Sequence, residues 1–300
     1  MVRILQAFKY TIVGEVKMKT FRSMIIAVFV FSVVLCISET TQASSSISEK
    51  KIPVLLQVND YDVIYTFPKQ PYLDKNNRLM IPLRAISELL GAKVSYDSIN
   101  KEASIGLNGK TLNIKADSNL IEVDNTPKQM DTIPVVYSQS LFVPIRALID
   151  NLDLHTTQNP KTGLVHIQSE ALDEFNMMQV IKESDTASSD VQDNNAILPL
   201  LYDLKLTNME KGKLLSGQIK VTARNISGKS IEKGKEDLHL IFLFDNTFQM
   251  EADYPTTDQS NERSRPALNE NQTFDRVIDF SAGNYDEKLK YILAMGRIFK

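Results

Sequence analysis

Residues 78–91 read RLMIPLRAISELLG, and residues 140–153 read SLFVPIRALIDNLD. At an offset of 62 positions Pro82 falls on Pro144, Arg84 on Arg146, Ala85 on Ala147 and Glu88 on Asp150. The correspondence continues beyond this stretch, carrying Ala103 onto Val165 and Ile105 onto Ile167. Self-similarity that runs through a helix and the strand pair after it marks two copies of one supersecondary unit.

Each copy reads in the same order. In the first, Val54–Val58 and Asp62–Phe67 are β-rich, and Leu79–Ile81 is a further strand. Pro82 opens a helix, where its missing N–H costs nothing. Leu83, Ile86, Leu89 and Leu90 then share one helical face. Gly91 is the expected left-handed cap. A hairpin follows, Lys93–Tyr96 and Glu102–Leu107 around the polar turn Asp97–Lys101. The second copy repeats this with Leu141–Val143, the helix Ile145–Leu152, and a hairpin of His155–Thr157 and Leu164–Gln168. Asp153 replaces Gly91, which predicts a less cleanly ended helix. The expectation is an α+β fold, with tandem strand–helix–hairpin repeats forming one domain over residues 52–170.

Residues 171–197 turn acidic, small and polar, which reads as a linker after a short helix near Leu172–Lys182. Residues 198–300 read as all-β. Strand candidates are Leu201–Thr207, Gly217–Asn225, Leu238–Phe244, Thr273–Phe280 and Leu289–Met295. Their spacing suggests a small immunoglobulin-like sandwich, with Asn246–Pro266 as a long polar connection.

Residues 1–43 read as a signal peptide. Lys17, Lys19 and Arg22 precede the apolar run Met24–Ile37, and Thr41-Gln42-Ala43 supplies small residues for cleavage. Translation from Met1 or from Met18 fits, and an uncleaved anchor stays open as the one route to a membrane. Cys36, the single cysteine, has part of a lipobox around it, but Leu35 is too large for the position before it. Cleavage after Ala43 leaves a polar leader, 44–51, and a mature chain without a thiol, which excludes disulfides and CxxC chemistry. Net charge is −3 with the cations scattered, so no basic face argues for nucleic acid.

The run Arg78-Leu79-Met80-Ile81-Pro82-Leu83-Arg84-Ala85-Ile86-Ser87-Glu88-Leu89-Leu90-Gly91-Ala92-Lys93-Val94-Ser95-Tyr96-Asp97 resembles the copper amine oxidase N-terminal-like, or stalk, domain family. The second copy departs from the pattern at Asp150, Asp153 and Thr156. The resemblance covers roughly Pro53 to Ser169. It implies a secreted, non-catalytic module of the kind found in tandem on Gram-positive surface proteins. The C-terminal region resembles, more weakly, small extracellular immunoglobulin-like modules.

The family name invites copper chemistry, and Ser281-Ala282-Gly283-Asn284-Tyr285-Asp286 matches the core of the amine oxidase cofactor motif. That chemistry needs three histidines, two of them as His-x-His. The chain has His155, His166 and His239, and no such pair. The stretch reads as a turn, and no cofactor is expected. With Gln158 opposite Gly163, His155 would face His166 across the second hairpin as a weak two-ligand metal pair, or simply a solvated pair. Arg84 and Arg146 sit just inside helix N-termini, where a cation is poorly placed. A carboxylate one turn on, Glu88 or Asp150, is the expected partner; the sharper alternative is an anion site built from both arginines. No GxSxG, HExxH or Gly-rich phosphate loop is present. The chain is therefore expected not to be an enzyme. It reads as a secreted cell-envelope structural or interaction protein whose partner is a protein or cell-wall polymer. The alternative is an accessory protein or inhibitor that regulates an enzyme such as a cell-wall hydrolase, with Asn246–Pro266 inserting.

Overall fold

The computed structural model describes residues 51–174, 176–207, 214–250 and 265–300. The expected signal peptide, Cys36 and the expected leader up to residue 50 lie outside the described residues, as do 251–264 of the connection expected to insert into an enzyme.

The chain opens with β1 (Ile52–Pro53), β2 (Leu56–Val58), β3 (Tyr61–Thr66), β4 (Tyr72–Leu73), β5 (Leu79–Pro82) and α1 (Leu83–Leu89). Then come β6 (Lys93–Asp97), β7 (Glu102–Leu107), β8 (Lys110–Lys115), β9 (Leu120–Val123), β10 (Thr126–Gln129), β11 (Val135–Tyr137), β12 (Ser140–Pro144) and α2 (Arg146–Ile149). The hairpin β13 (His155–Gln158) and β14 (Val165–Gln168) leads to α3 (Asn176–Ser184) and β15 (Val191–Asp193). The long strands close the chain: β16 (Ile197–Leu206), β17 (Ser216–Asn225), β18 (Glu236–Phe244), β19 (Phe248–Met250), β20 (Thr273–Ser281) and β21 (Leu289–Phe299).

The two Pro–Arg copies meet through the strands that precede their helices. β5 and β12 pair antiparallel with Ile81 opposite Val143, which are the same position of the repeat. A local two-fold axis therefore passes between them, and α1 and α2 leave in opposite directions. The first copy's hairpin, β6–β7, continues into a five-stranded meander with β8, β9 and β10. The second copy's hairpin, β13–β14, joins the edge of an eight-stranded sheet instead.

That large sheet overturns the expected fold class. Strand takes 51% of the structure and helix 11%, so the fold is mostly β rather than α+β repeats. The helices are short, α1 spanning seven residues, α2 four and α3 nine. The C-terminal strands do not close on themselves as an immunoglobulin-like sandwich either. β21 lies between β18 and β3, placing the last strand beside one of the first. β16, β17 and β20 form a second sheet with β1.

The reason lies in β21 itself. Tyr291, Leu293 and Met295 enter one core with Val58, Val63, Ile86 and Ile167. Ile292, Ala294 and Ile298 enter the other with Ile64, Val221, Phe242 and Phe280. A strand apolar on both faces needs cover on both. The central sheet thus separates two cores, and Glu49–Lys300 forms one compact unit.

Residues 171–197 are not a loose linker. Leu172, Met178 and Ile181 are buried in the first core, and Asp185 at the end of α3 binds Arg297 of β21. Arg297 also holds Asp237 of β18 at 2.6 Å, and Arg265 reaches the same carboxylate at 3.4 Å. All four side chains are almost fully buried, a paired arrangement that such charges require.

Candidate functional site

α1 ends as its sequence dictates. Gly91 takes φ +82°. Its N–H bonds Glu88 O at 2.9 Å and the Ala92 N–H bonds Ser87 O at 2.9 Å, the two bonds of a Schellman cap. Asp153 adopts φ +51° at the equivalent place and forms an ion pair with Lys110 at 2.6 Å. Arg84 meets Glu88 at 3.4 Å, the partner expected from spacing. Among the described residues Arg146 makes no such pair with Asp150. The two arginines also line different depressions, Arg84 beside Tyr96 and Arg146 beside Thr157. The antiparallel β5–β12 pairing sends them apart, so they build no common anion site.

The histidines do not assemble. The β13–β14 register sets His166 opposite Thr157 and His155 opposite Gln168, two positions from the expected pairing. The loop is longer than the four polar residues expected. Asn159 Oδ1 accepts the N–H groups of Lys161 and Thr162, and Gly163 takes φ +75° inside the turn. His166 Nε2 instead lies 3.0 Å from Asn59 O. His239 is buried in β18, four strand spacings or about 19 Å from β14. Tyr285 lies in a turn and is 65% exposed. These donors do not fit a copper and quinone centre. Among the described residues no group of three or more His, Cys, Asp or Glu is placed to hold a metal. Among the same residues no helix is long and apolar enough to cross a membrane.

The structure brings together a different set of residues. A groove of about 320 Å³ opens between the start of α1, the β6–β7 hairpin and the β11–β12 hairpin. Its floor is Leu83 and Tyr291, both buried. Its walls are Leu141, Val136 and Tyr96, the last two 59% and 48% exposed. Tyr291 donates its hydroxyl to Ala85 O at 2.9 Å, which fixes the ring under the helix. Burial, and then the nearby Glu88 charge, pushes that hydroxyl's pKa upward. Arg84 and Lys290 stand at the rim, and Lys288 lies 5.7 Å from the Phe67 ring at the same end.

The repeat explains why this groove exists and why it is apolar. Carried through the local two-fold, its Arg84, Val94, Ser95, Tyr96, Ala103 and Leu141 become Arg146, Thr156, Thr157, Gln158, Val165 and Leu79, which line a second depression. The first shelf presents Val94 and Tyr96 where the second presents Thr156 and Gln158. Sequence reading singles out Pro82, Arg84 and Glu88 of this site, but not Val136, Leu141, Lys290 or Tyr291. The exposed run Val135-Val136-Tyr137 behind Pro134 is the signal that could have found the missing wall.

Residues 57–167 match the family model for the copper amine oxidase N-terminal domain, a stalk-like domain family. That stretch contains both copies of the repeat and, apart from Lys290 and Tyr291, the residues that carry the groove. No curated protein and no solved structure matches the chain.

Proposed function

We propose that this protein is a secreted, non-catalytic interaction protein of the cell envelope, and that it holds its partner at the groove beside α1. The observation that carries the reading is the continuity of exposed Tyr96 and Val136 with buried Leu83 and Tyr291. A concave apolar surface with a polar rim is the usual form of a binding site. The stalk-like domain match supports the scaffold role, and the targeting sequence at the N-terminus supports export.

The test compares the full chain with Val136→Glu in its host. Val136 is exposed, so the variant should fold and keep its thermal midpoint. The wild type is expected in the envelope fraction and the variant in the medium. Equal retention of both, or catalytic turnover by the purified protein, would contradict the proposal.

A further inference from the structure

We infer that the occupant of the groove is an extended polypeptide segment, added as a strand to the open edge of β11, with an apolar side chain facing Val136 and carboxylates two residues to either side. This rests on the groove being the partner site. β11 is an edge strand, and all three of its residues are exposed. Ser138 and Gln139, at φ +45° and +63°, make a two-residue turn that sets Tyr137 opposite Ser140. Such a turn makes that pair the hydrogen-bonded one. Alternation then points the N–H and C=O of Val136 away from β12, toward the open edge. Val136 makes no backbone bond outside its own sheet among the described residues. The chemistry that satisfies an outward N–H and C=O on one residue is another peptide backbone.

Side-chain direction supplies the rest. Val136 and its partner Leu141 face the groove, so the residue opposite Val136 on an added strand faces it too. Residues two positions away share that face. There they meet a rim with Arg84, Lys290 and Lys288. Arg84–Glu88 and Lys290–Asp245 are loose, partly exposed contacts at 3.4 and 3.5 Å. Pairs of this kind exchange readily with an incoming carboxylate. A second copy of the chain would instead bring the same cations toward one another, which favours an acidic partner over self-association.

The test uses the full chain and a blocked peptide ordered glutamate–serine–phenylalanine–serine–glutamate. Fluorescence anisotropy would compare it with a lysine-for-glutamate analogue and with the same peptide N-methylated at phenylalanine. The parent peptide is expected to bind. Methylation removes one backbone hydrogen bond and should weaken binding about tenfold. The lysine analogue should bind at least about tenfold more weakly, and Val136→Glu should abolish binding. Equal affinity of the methylated peptide would overturn strand addition, and equal affinity of the lysine analogue would overturn the acidic partner. If no peptide binds while Val136→Glu still leaves the envelope fraction, the strand inference fails and the groove reading stands. If Val136→Glu is retained normally, the groove reading itself fails. A dimer in sedimentation that Val136→Glu dissociates would overturn the inference in favour of a second copy.

Discussion

Replacing Asp62 by asparagine should stabilise the protein at neutral pH and leave it little changed in mild acid. Asp62 lies on β3 inside the central sheet, with Gln57 and Ala294 as cross-strand neighbours. It is 2% exposed, and its Oδ1 has no hydrogen-bond partner. Burial alone pushes its pKa well above the usual carboxylate value. The folded state therefore keeps a proton that the unfolded state has released. The stability this contributes is complete below the ordinary pKa, near 4, and is lost as pH rises toward the raised one. Within that window one extra proton corresponds to about 1.4 kcal/mol per pH unit. The substituted amide keeps the shape of the carboxyl and cannot ionise. Urea midpoints of Asp62→Asn and wild type, taken at intervals from pH 4 to 7.5, should diverge steadily with rising pH in favour of the variant. Other titrating groups cancel in the difference. Parallel curves would refute the reasoning, since they would mean that Asp62 ionises in the fold at no cost.

Gly91→Ala combines a left-handed backbone with a Cβ that would lie 2.2 Å from Ala171 O, so urea unfolding should show a loss of about 2–4 kcal/mol. Arg297→Ala leaves the Asp185 and Asp237 carboxylates buried without their main partner. It should cost about 3–5 kcal/mol, seen as a large drop in thermal midpoint. Arg84→Ala breaks an ion pair whose side chains are 55% and 38% exposed, and should change stability by less than about 1 kcal/mol in the same assay.

Much of this fold is legible because local chemistry and tertiary structure agree. The Pro–Arg repeat, the Gly91 cap and the β6–β7 hairpin follow from spacing and turn residues alone. The five C-terminal strands expected from the sequence are all present, the first beginning earlier, at Ile197, and the last running on to Phe299. Their partners are not legible. The run Tyr291-Ile292-Leu293-Ala294-Met295 has no alternation, and that is the mark of a strand covered on both faces. Taken with its neighbours in sequence, it reads instead as one wall of a self-contained sandwich. The meander β8–β10 also escapes a reading built on the repeat, although Asn108-Gly109 and Asp124-Asn125, all at positive φ, are hairpin-turn sequences. The polar stretch 171–197 misleads through composition. Its buried Leu172, Met178 and Ile181 outweigh the surrounding serines and aspartates, and Asp185 is held by an arginine more than a hundred residues on. The groove is half legible: Arg84 and Glu88 stand out in the repeat, but Val136 and Lys290 meet them only once the sheets are assembled.

Hydrogen exchange on the full chain, alone and in complex with the envelope component that co-purifies with it, locates the contact surface directly. The groove account requires new protection in β11–β12 and at the start of α1, with the Val136 amide among the most slowed. Protection confined to the β13–β14 hairpin or to the shelf around Arg146, with β11 exchanging as fast as in the free protein, would contradict it.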